Sequence, residues 1–429
     1  MPGLVPGIHG YSRVLEDVDG WGWIAKSDRT ESAVEGRRAS MQHSVIRRLL
    51  IVAVVMLAPC LAQARAIHAA SAPEIISAVN NAKAGDVITV APGHYVLPGL
   101  RMTASGTRHR PIVLRAAKLG TVELRSSATE FIKISAPDWI VENFDIAGTC
   151  HDDSDCEHAF HIVAHADRTV IRGNRIHDYN AHIKGNGENG RFPSDVVIEN
   201  NWLFDTRPRV TDNPIAPVDV VGGSRWTVRG NLITDFAKRL DHPPMRTDDW
   251  SYGLFLKGNS ERGMIAGNIV DCDLDAPPTR SIRGISLGAS GTGPGLCDKG
   301  GACRTEHRQG TIWGNIVLNC PAEPGLYLFQ AEDTLVAGNI VVGTAGIDVV
   351  GIESNARVSN NTLDGAIAVT GGAAATGVKD NVILSAASAR QHYLLPLLGK
   401  TPIKGDDALA KAAKRIAAYR AYREALAKR

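Results

Sequence analysis

A right-handed parallel β-helix, an all-β solenoid, is the fold the sequence predicts, and three observations predict it. One phrase recurs along the chain: TVIRGNRIHD (169–178), VVIENNWLFD (196–205), WTVRGNLITD (226–235), GMIAGNIVDC (263–272), GTIWGNIVLN (310–319), TLVAGNIVVG (334–343), ARVSNNTLDG (356–365) and TGVKDNVILS (376–385). Each copy sets an asparagine at the same point: Asn174, Asn201, Asn231, Asn268, Asn315, Asn339, Asn361 and Asn381. The spacings of 27, 30, 37, 47, 24, 22 and 20 residues reduce to a basal period of about 20–24, one coil of two or three short strands. Apolar residues alternate within each copy, as in strands, and no helix-length segment separates the copies, which excludes a leucine-rich repeat. Coils rise by about 4.8 Å, so an inward Asn at a turn meets the Asn of the next coil, and the column is structural.

Composition agrees. The chain has 429 residues, 47 Lys+Arg against 45 Asp+Glu, a formal charge of +2, 44% hydrophobic residues and 43 Gly. So even a charge balance excludes a dedicated nucleic-acid binder, and so large an apolar fraction excludes a disordered chain.

The elements follow in order. Residues 1–40 read as an upstream extension, with translation expected to start at Met41. Residues 41–66 (MQHSVIRRLLIVAVVMLAPCLAQARA) carry Arg47 and Arg48, a short apolar run and A-x-A sequences at 62–64 and 64–66, the three parts of a secretory signal peptide. The apolar run is too short to span a bilayer. The protein is therefore expected to be secreted or periplasmic, a monomer, with no membrane insertion once the signal is removed. Ser71 N-caps a helix expected over Ala72 to Lys83 that covers the first coil. The β-helix itself is expected over 67–400. Residues 401–429 read as a basic amphipathic helix, either solvated or capping the far end, with contact to an anionic polymer as the alternative.

Seven Cys less Cys60 in the signal leave six. An even number in an exported chain predicts disulfides: Cys150 with Cys156, Cys297 with Cys303, and Cys272 with Cys320. No C-x-x-C occurs, which disfavours zinc on these cysteines.

Long insertions between Asn201 and Asn315 place the binding face there, since solenoids carry insertions on one face. A second strand precedes each Asn: FHIVAH (160–165), AHIKGN (181–186), VDVVGG (218–223), LFLKGN (254–259), GISLGA (284–289), LYLFQA (326–331) and IDVVGI (347–352). Alternation turns Ile162, Ile183, Val218, Val220, Leu254, Leu256, Ile285, Leu287, Leu326 and Leu328 inward. It turns His161, His182, Asp219, Phe255, Ser286, Tyr327 and Asp348 outward, with Lys184, Lys257 and Phe329 in a parallel outward column. Buried Lys is rare, which fixes this choice of register. Arg283, Glu306 and His307 flank the column, and Tyr252 and Trp250 are candidate sugar-stacking rings. Basic groups among acids on one surface suit an anionic polysaccharide. Ca²⁺ is a candidate cofactor through the oxygens of HDDSDC (151–156) or of Asp271, Asp273 and Asp275.

Residues 82–117 (AKAGDVITVAPGHYVLPGLRMTASGTRHRPIVLRAA) contain K-A-G-D-x-I-x-V-x-x-G-x-Y, S-G-T and R-P-I-x-L-R-A. These phrases resemble the opening of the chondroitinase B and alginate lyase family of parallel β-helix polysaccharide lyases, and of related pectate lyases. The resemblance implies a Lys base on an exposed strand, supported by an Arg on the neighbouring coil. Lys257 in LFLKGNS looks like that Lys; Gly288 stands where the Arg is expected, with Arg283 offset from it. The implied chemistry is β-elimination of a uronate polymer: removal of the C5 proton, with the carboxylate charge offset by a cation. In this scheme Lys257 is the base, Arg283 or His307 the carboxylate partner, and His182 or Tyr327 the acid. His161, Lys184, Asp219, Tyr252, Glu306 and Tyr327 bind substrate. The alternatives are a glycoside hydrolase or epimerase using Asp219 with Glu306 or Asp348, and a non-catalytic carbohydrate-binding solenoid.

Overall fold

The computed structural model describes residues 64–239, 251–272, 281–320, 322–403 and 405–428. The upstream extension and all of the expected signal before Ala64 lie outside the described residues, as do Trp250, Asp273 and Asp275.

Three parallel sheets of 12, 10 and 11 strands build the body, each strand bonded to the strand one coil away, with a three-stranded sheet beside them. Ile171, for example, lies between Val141 and Ile198. This is a parallel β-helix. Its interior is filled as alternation predicts: all ten inward residues named above are buried.

The recurring Asn phrase is the corner between two strands. The residue before the Asn adopts positive φ at Gly173, Asn200, Gly230, Gly267, Gly314, Gly338 and Asn360, from 55° to 67°. Glycine has no Cβ to clash there and Asn tolerates the conformation best of the rest, which explains the G-N and N-N dipeptides. The Asn that follows turns inward and bonds across coils. Asn231 is typical: its Nδ2 donates to Asn268 Oδ1 at 2.9 Å and to the Ile198 carbonyl at 2.9 Å, while its Oδ1 accepts from Asn201 N at 3.0 Å. The same bonds connect Asn174 through to Asn381.

The N-terminal helix spans Ala72–Asn80, with Ser71 accepting from Glu74 N, and buries Ile75, Ala78 and Val79. Strand Ala66–Ala69 pairs with Val87–Val90, and Arg65 is ion-paired to Asp86. The body thus begins before the expected boundary at 67: cutting after Ala66 would sever this strand, whereas cutting after Ala64 leaves it whole.

The C-terminal helix, Asp407–Ala427, is neither solvated nor an end cap. Leu409, Ala412, Ile416 and Tyr419, one face at helical spacing, are buried against Phe204, Leu232, Ile269, Ile316, Leu318 and Val342 of the 11-stranded sheet. Tyr419 donates to Asp235, Arg423 pairs with the same carboxylate at 3.0 Å, and Tyr422 donates to Asp145 at 2.5 Å. Arg175 lies over the Tyr422 ring at 4.0 Å. The three expected cysteine pairs, Cys150–Cys156, Cys272–Cys320 and Cys297–Cys303, are all at bonding distance.

His177 sits under this helix, 3.6 Å from Asp145 and 2.7 Å from Asp178. Burial pushes its pKa down, but the two carboxylates outweigh burial and hold it at about 9. A raised folded-state pKa gives stability that is complete below the unfolded value near 6.5 and is lost as pH rises through 9. Raising the pH from 6.5 to 9 should therefore lower the melting temperature by about 2–4 °C. In His177→Gln the fall over that interval should vanish; an unchanged slope by calorimetry would contradict this origin.

Candidate active site

The register of the 10-stranded sheet stacks His161, Lys184, Asp219, Phe255, Ser286, Tyr327 and Asp348 in one column. Alternation places His182 in this column and Lys184 in the next. The actual pairing is shifted by two residues in that coil, so Lys184, not His182, lies between His161 and Asp219. Facing is preserved by a two-residue shift, which is why alternation alone cannot detect it.

Lys184, Asp219, Tyr252, Phe255 and Lys257 line a groove of about 260 Å³, roofed by the 289–296 loop. Lys184 Nζ is 2.8 Å from Asp219 Oδ2, and Asp219 Oδ1 is buried with no hydrogen-bond partner. Lys257 Nζ donates to the Gly291 carbonyl at 2.8 Å and lies 5.0 Å from the Phe255 ring centroid. Burial pushes the Lys257 pKa below the ordinary 10.5; Lys184 pushes the same way, and Asp219 and Glu306 oppose it.

The roof is tied down from beneath. Glu306, 1% exposed, accepts from Thr292 N and Thr292 Oγ1 at 2.6 Å each and from Gly258 N at 2.8 Å. Its expected place among the substrate contacts does not hold: both oxygens are consumed inside the protein. Gly288 opens the loop at φ 94°, where a Cβ would stand 1.8 Å from the Phe329 carbonyl oxygen. The position at which the resemblance asks for an Arg is therefore closed to any side chain.

A second column lies at the start of two neighbouring strands. Tyr252 is in register with Arg283, yet the Tyr252 and Phe255 rings meet at 5.5 Å although they are three residues apart. Between them lies Gly253, against Gly284 of the next coil, as Gly284 lies against Gly325: a Cβ on Gly253 would be 2.8 Å from the Gly284 oxygen and one on Gly284 2.5 Å from the Gly325 oxygen, and the side chains at 252 and 255 share a face. Strict alternation misses this column for that reason. Arg283 donates to Tyr252 Oη at 2.9 Å, pairs with Glu323 at 3.2 Å and covers the Tyr327 ring at 3.9 Å. It is engaged by protein groups rather than held ready for a substrate carboxylate. Tyr252, 4% exposed, is not a sugar-stacking platform; burial pushes its hydroxyl up to about 12, against the pull of Arg283. Burial likewise raises Tyr327.

Two histidines leave the site. His182 is fully buried, its Nε2 2.9 Å from the Phe204 carbonyl. His307 is also fully buried; its Nε2 accepts from Gly263 N at 3.3 Å, and burial pushes its pKa to about 3. Neither can meet a polymer. His161 keeps its column position but is wedged between Glu130 and Asn186, each 2.6 Å from a ring nitrogen. Glu130, Asn186 and the neighbouring His158 were not found from the sequence, because their strand-start and loop positions carry no alternation signal.

In the acidic phrase expected to offer calcium oxygens, the buried carboxylate is already matched. Asp153 is paired with Arg207 at 2.7 Å and Arg209 at 3.2 Å, beside a separate hollow of about 730 Å³.

The fold and groove define a parallel β-helix with a cationic cleft on one sheet. No family model matches the sequence, and no curated protein does. Among solved structures the chain is similar to an alginate lyase from Paenibacillus sp. str. FPU-7, at 18% identity over 74% of this chain and 95% of that one, with a TM-score of 0.38. It is similar to a PL6 family polysaccharide lyase from Pseudopedobacter saltans at 14% identity, over 79% and 96%, TM-score 0.41. It is also similar to PfbA, a surface adhesin of Streptococcus pneumoniae, at 11% identity, over 70% and 84%, TM-score 0.44.

Proposed function

We propose that the protein is an exported lyase that cleaves a uronate-containing polysaccharide by β-elimination in the Lys184–Lys257 groove. One observation carries this reading: a desolvated lysine shares the groove with a second lysine, while Asp219 is the one carboxylate lining it among the described residues. Hydrolysis by paired carboxylates needs two across the bond, and Glu306 is spent beneath the roof. Elimination needs a base and a cation.

In the proposed step, neutral Lys257 Nζ takes the C5 proton and the electron pair forms the C4=C5 double bond. The C4–O4 bond breaks, and the departing O4 takes a proton from Tyr252 Oη, which then recovers one from solvent. Lys184, exchanging Asp219 for the substrate, offsets the uronate carboxylate, the part expected of Arg283 or His307. Arg283 instead positions Tyr252 through its 2.9 Å bond. The signal sequence and three cysteine pairs support export to the periplasm or beyond, and the anionic polymer is the expected partner.

Incubation with alginate, pectate and chondroitin, followed by ultraviolet absorbance of the unsaturated uronate product, tests the reading. Absorbance should rise with one of them. New reducing ends without absorbance would mean hydrolysis, and oligosaccharide binding without turnover would mean a binding protein; either overturns it.

A further inference from the structure

The surroundings of His161 point to a cation rather than to a sugar. Glu130 and His158 are in register on adjacent strands, and His161 lies three residues beyond His158 on the same face, the two rings 5.0 Å apart. Each of the three offers one ligand atom, and those atoms lie within 4.8 Å of one another. The Asn186 amide donates through Nδ2 to the Gly187 carbonyl at 3.0 Å, which leaves Oδ1 facing His161 Nε2 at 2.6 Å. That oxygen can only accept, so Nε2 carries the proton. The other ring nitrogen, Nδ1, faces a carboxylate oxygen of Glu130 at 2.6 Å. That contact is satisfied by a positive centre shared between the two atoms, a ring proton or a bound cation. A ring whose far N–H is held by an amide oxygen is also the usual arrangement behind a metal-bound histidine.

Two further features favour a metal in that role. His158 Nδ1 is buried with no hydrogen-bond partner, and the Glu157 carboxylate lies 4.0 Å from it. Of the flanking cations, Lys133 is matched by Glu188 at 2.6 Å and Lys184 by Asp219 at 2.8 Å, while Arg101 donates to the Glu130 backbone carbonyl at 3.2 Å, so the Glu130 and Glu157 carboxylates face a pocket in which two of the three cations are already neutralised.

We propose that Glu130, His158 and His161 form a divalent transition-metal site, best suited to zinc, on the strands next to Lys184. Two imidazoles and one carboxylate are a zinc set rather than a calcium set, since calcium takes oxygens throughout. Three protein ligands leave a fourth position for water or for an oxygen of a bound molecule. The site stands independently of the lyase reading, and its test is a binding measurement.

Untagged protein stripped with a chelator should bind zinc one-to-one in calorimetry, and cobalt in its place should give the intense visible bands of a tetrahedral site. His158→Ala and His161→Ala should each weaken zinc by about tenfold or more and remove the cobalt bands. Glu130→Gln, isosteric and half-exposed, should weaken zinc similarly and serves should a buried His variant fail to fold. His94→Ala, exposed and outside the cluster, should bind as the parent does. Absence of saturable binding by the parent, or parent-like affinity in folded His158→Ala or Glu130→Gln, would overturn the proposal.

Discussion

Replacing Lys257 by Ala should slow formation of the unsaturated product by about a thousandfold, within the usual range for loss of a general base. Lys257→Arg should be equally inactive. The two variants together separate proton abstraction from charge, because Arg restores the cation but cannot lose its proton near neutral pH. A Lys257→Arg enzyme that kept a tenth or more of the parent rate would remove the base assignment. The sign of the pH dependence follows from the same group. Burial holds its pKa below 10.5, and the active form is the deprotonated one. The rate should therefore rise with pH and level off at a midpoint below that of a free lysine. Lys184 contributes to the depression, against the opposing pull of its own partner Asp219. Lys184→Ala should thus move the midpoint to higher pH; a shift downward would mean that the two ammonium groups do not sense each other.

The second large effect is on stability. Asn231→Ala removes an acceptor for Asn201 N and a donor for Asn268 Oδ1 and the Ile198 carbonyl, all inside the corner between two sheets. Each buried group left without a partner costs about 1–3 kcal/mol, so the variant should lose about 3–5 kcal/mol. At the last rung, Asn381 is half-exposed and water can replace its bonds. Asn381→Ala should therefore cost less than half as much in denaturant titration. Equal losses at the two positions would show that the ladder is not what the interior coils depend on.

These contrasts mirror what could be read from the chain. The ladder is legible because each rung has a local cause: a left-handed residue that favours Gly or Asn, then an Asn. Interior residues are legible because a period of two survives any insertion. Register between coils is not, since it depends on how two loops of different length close; His182 and Lys184 exchanged places for that reason. Exposure is less legible still. His307 and Glu306 look like free loop residues, but the roof formed by a neighbouring insertion and the small sheet beside the coils buries both. Tyr252 shares a face with Phe255 across Gly253, at a position that alternation assigns to the core. Two of the three cysteine pairs were legible from spacing, at separations of only six, and the third is what then remains.

A stack of coils is ordinarily a structure of near neighbours, in which any stretch can be completed as soon as it has been made. The docked C-terminal helix breaks that rule here. Tyr422 reaches Asp145 across 277 positions, and Arg423 reaches Asp235 across 188. Early turns of the solenoid thus keep an oily flank uncovered until the tail arrives. Such late, distant closure slows folding and prolongs the interval in which a partly made chain can stick to others. The tail behaves as a clasp fastened last, and a chain shortened before Leu409 would leave that flank bare.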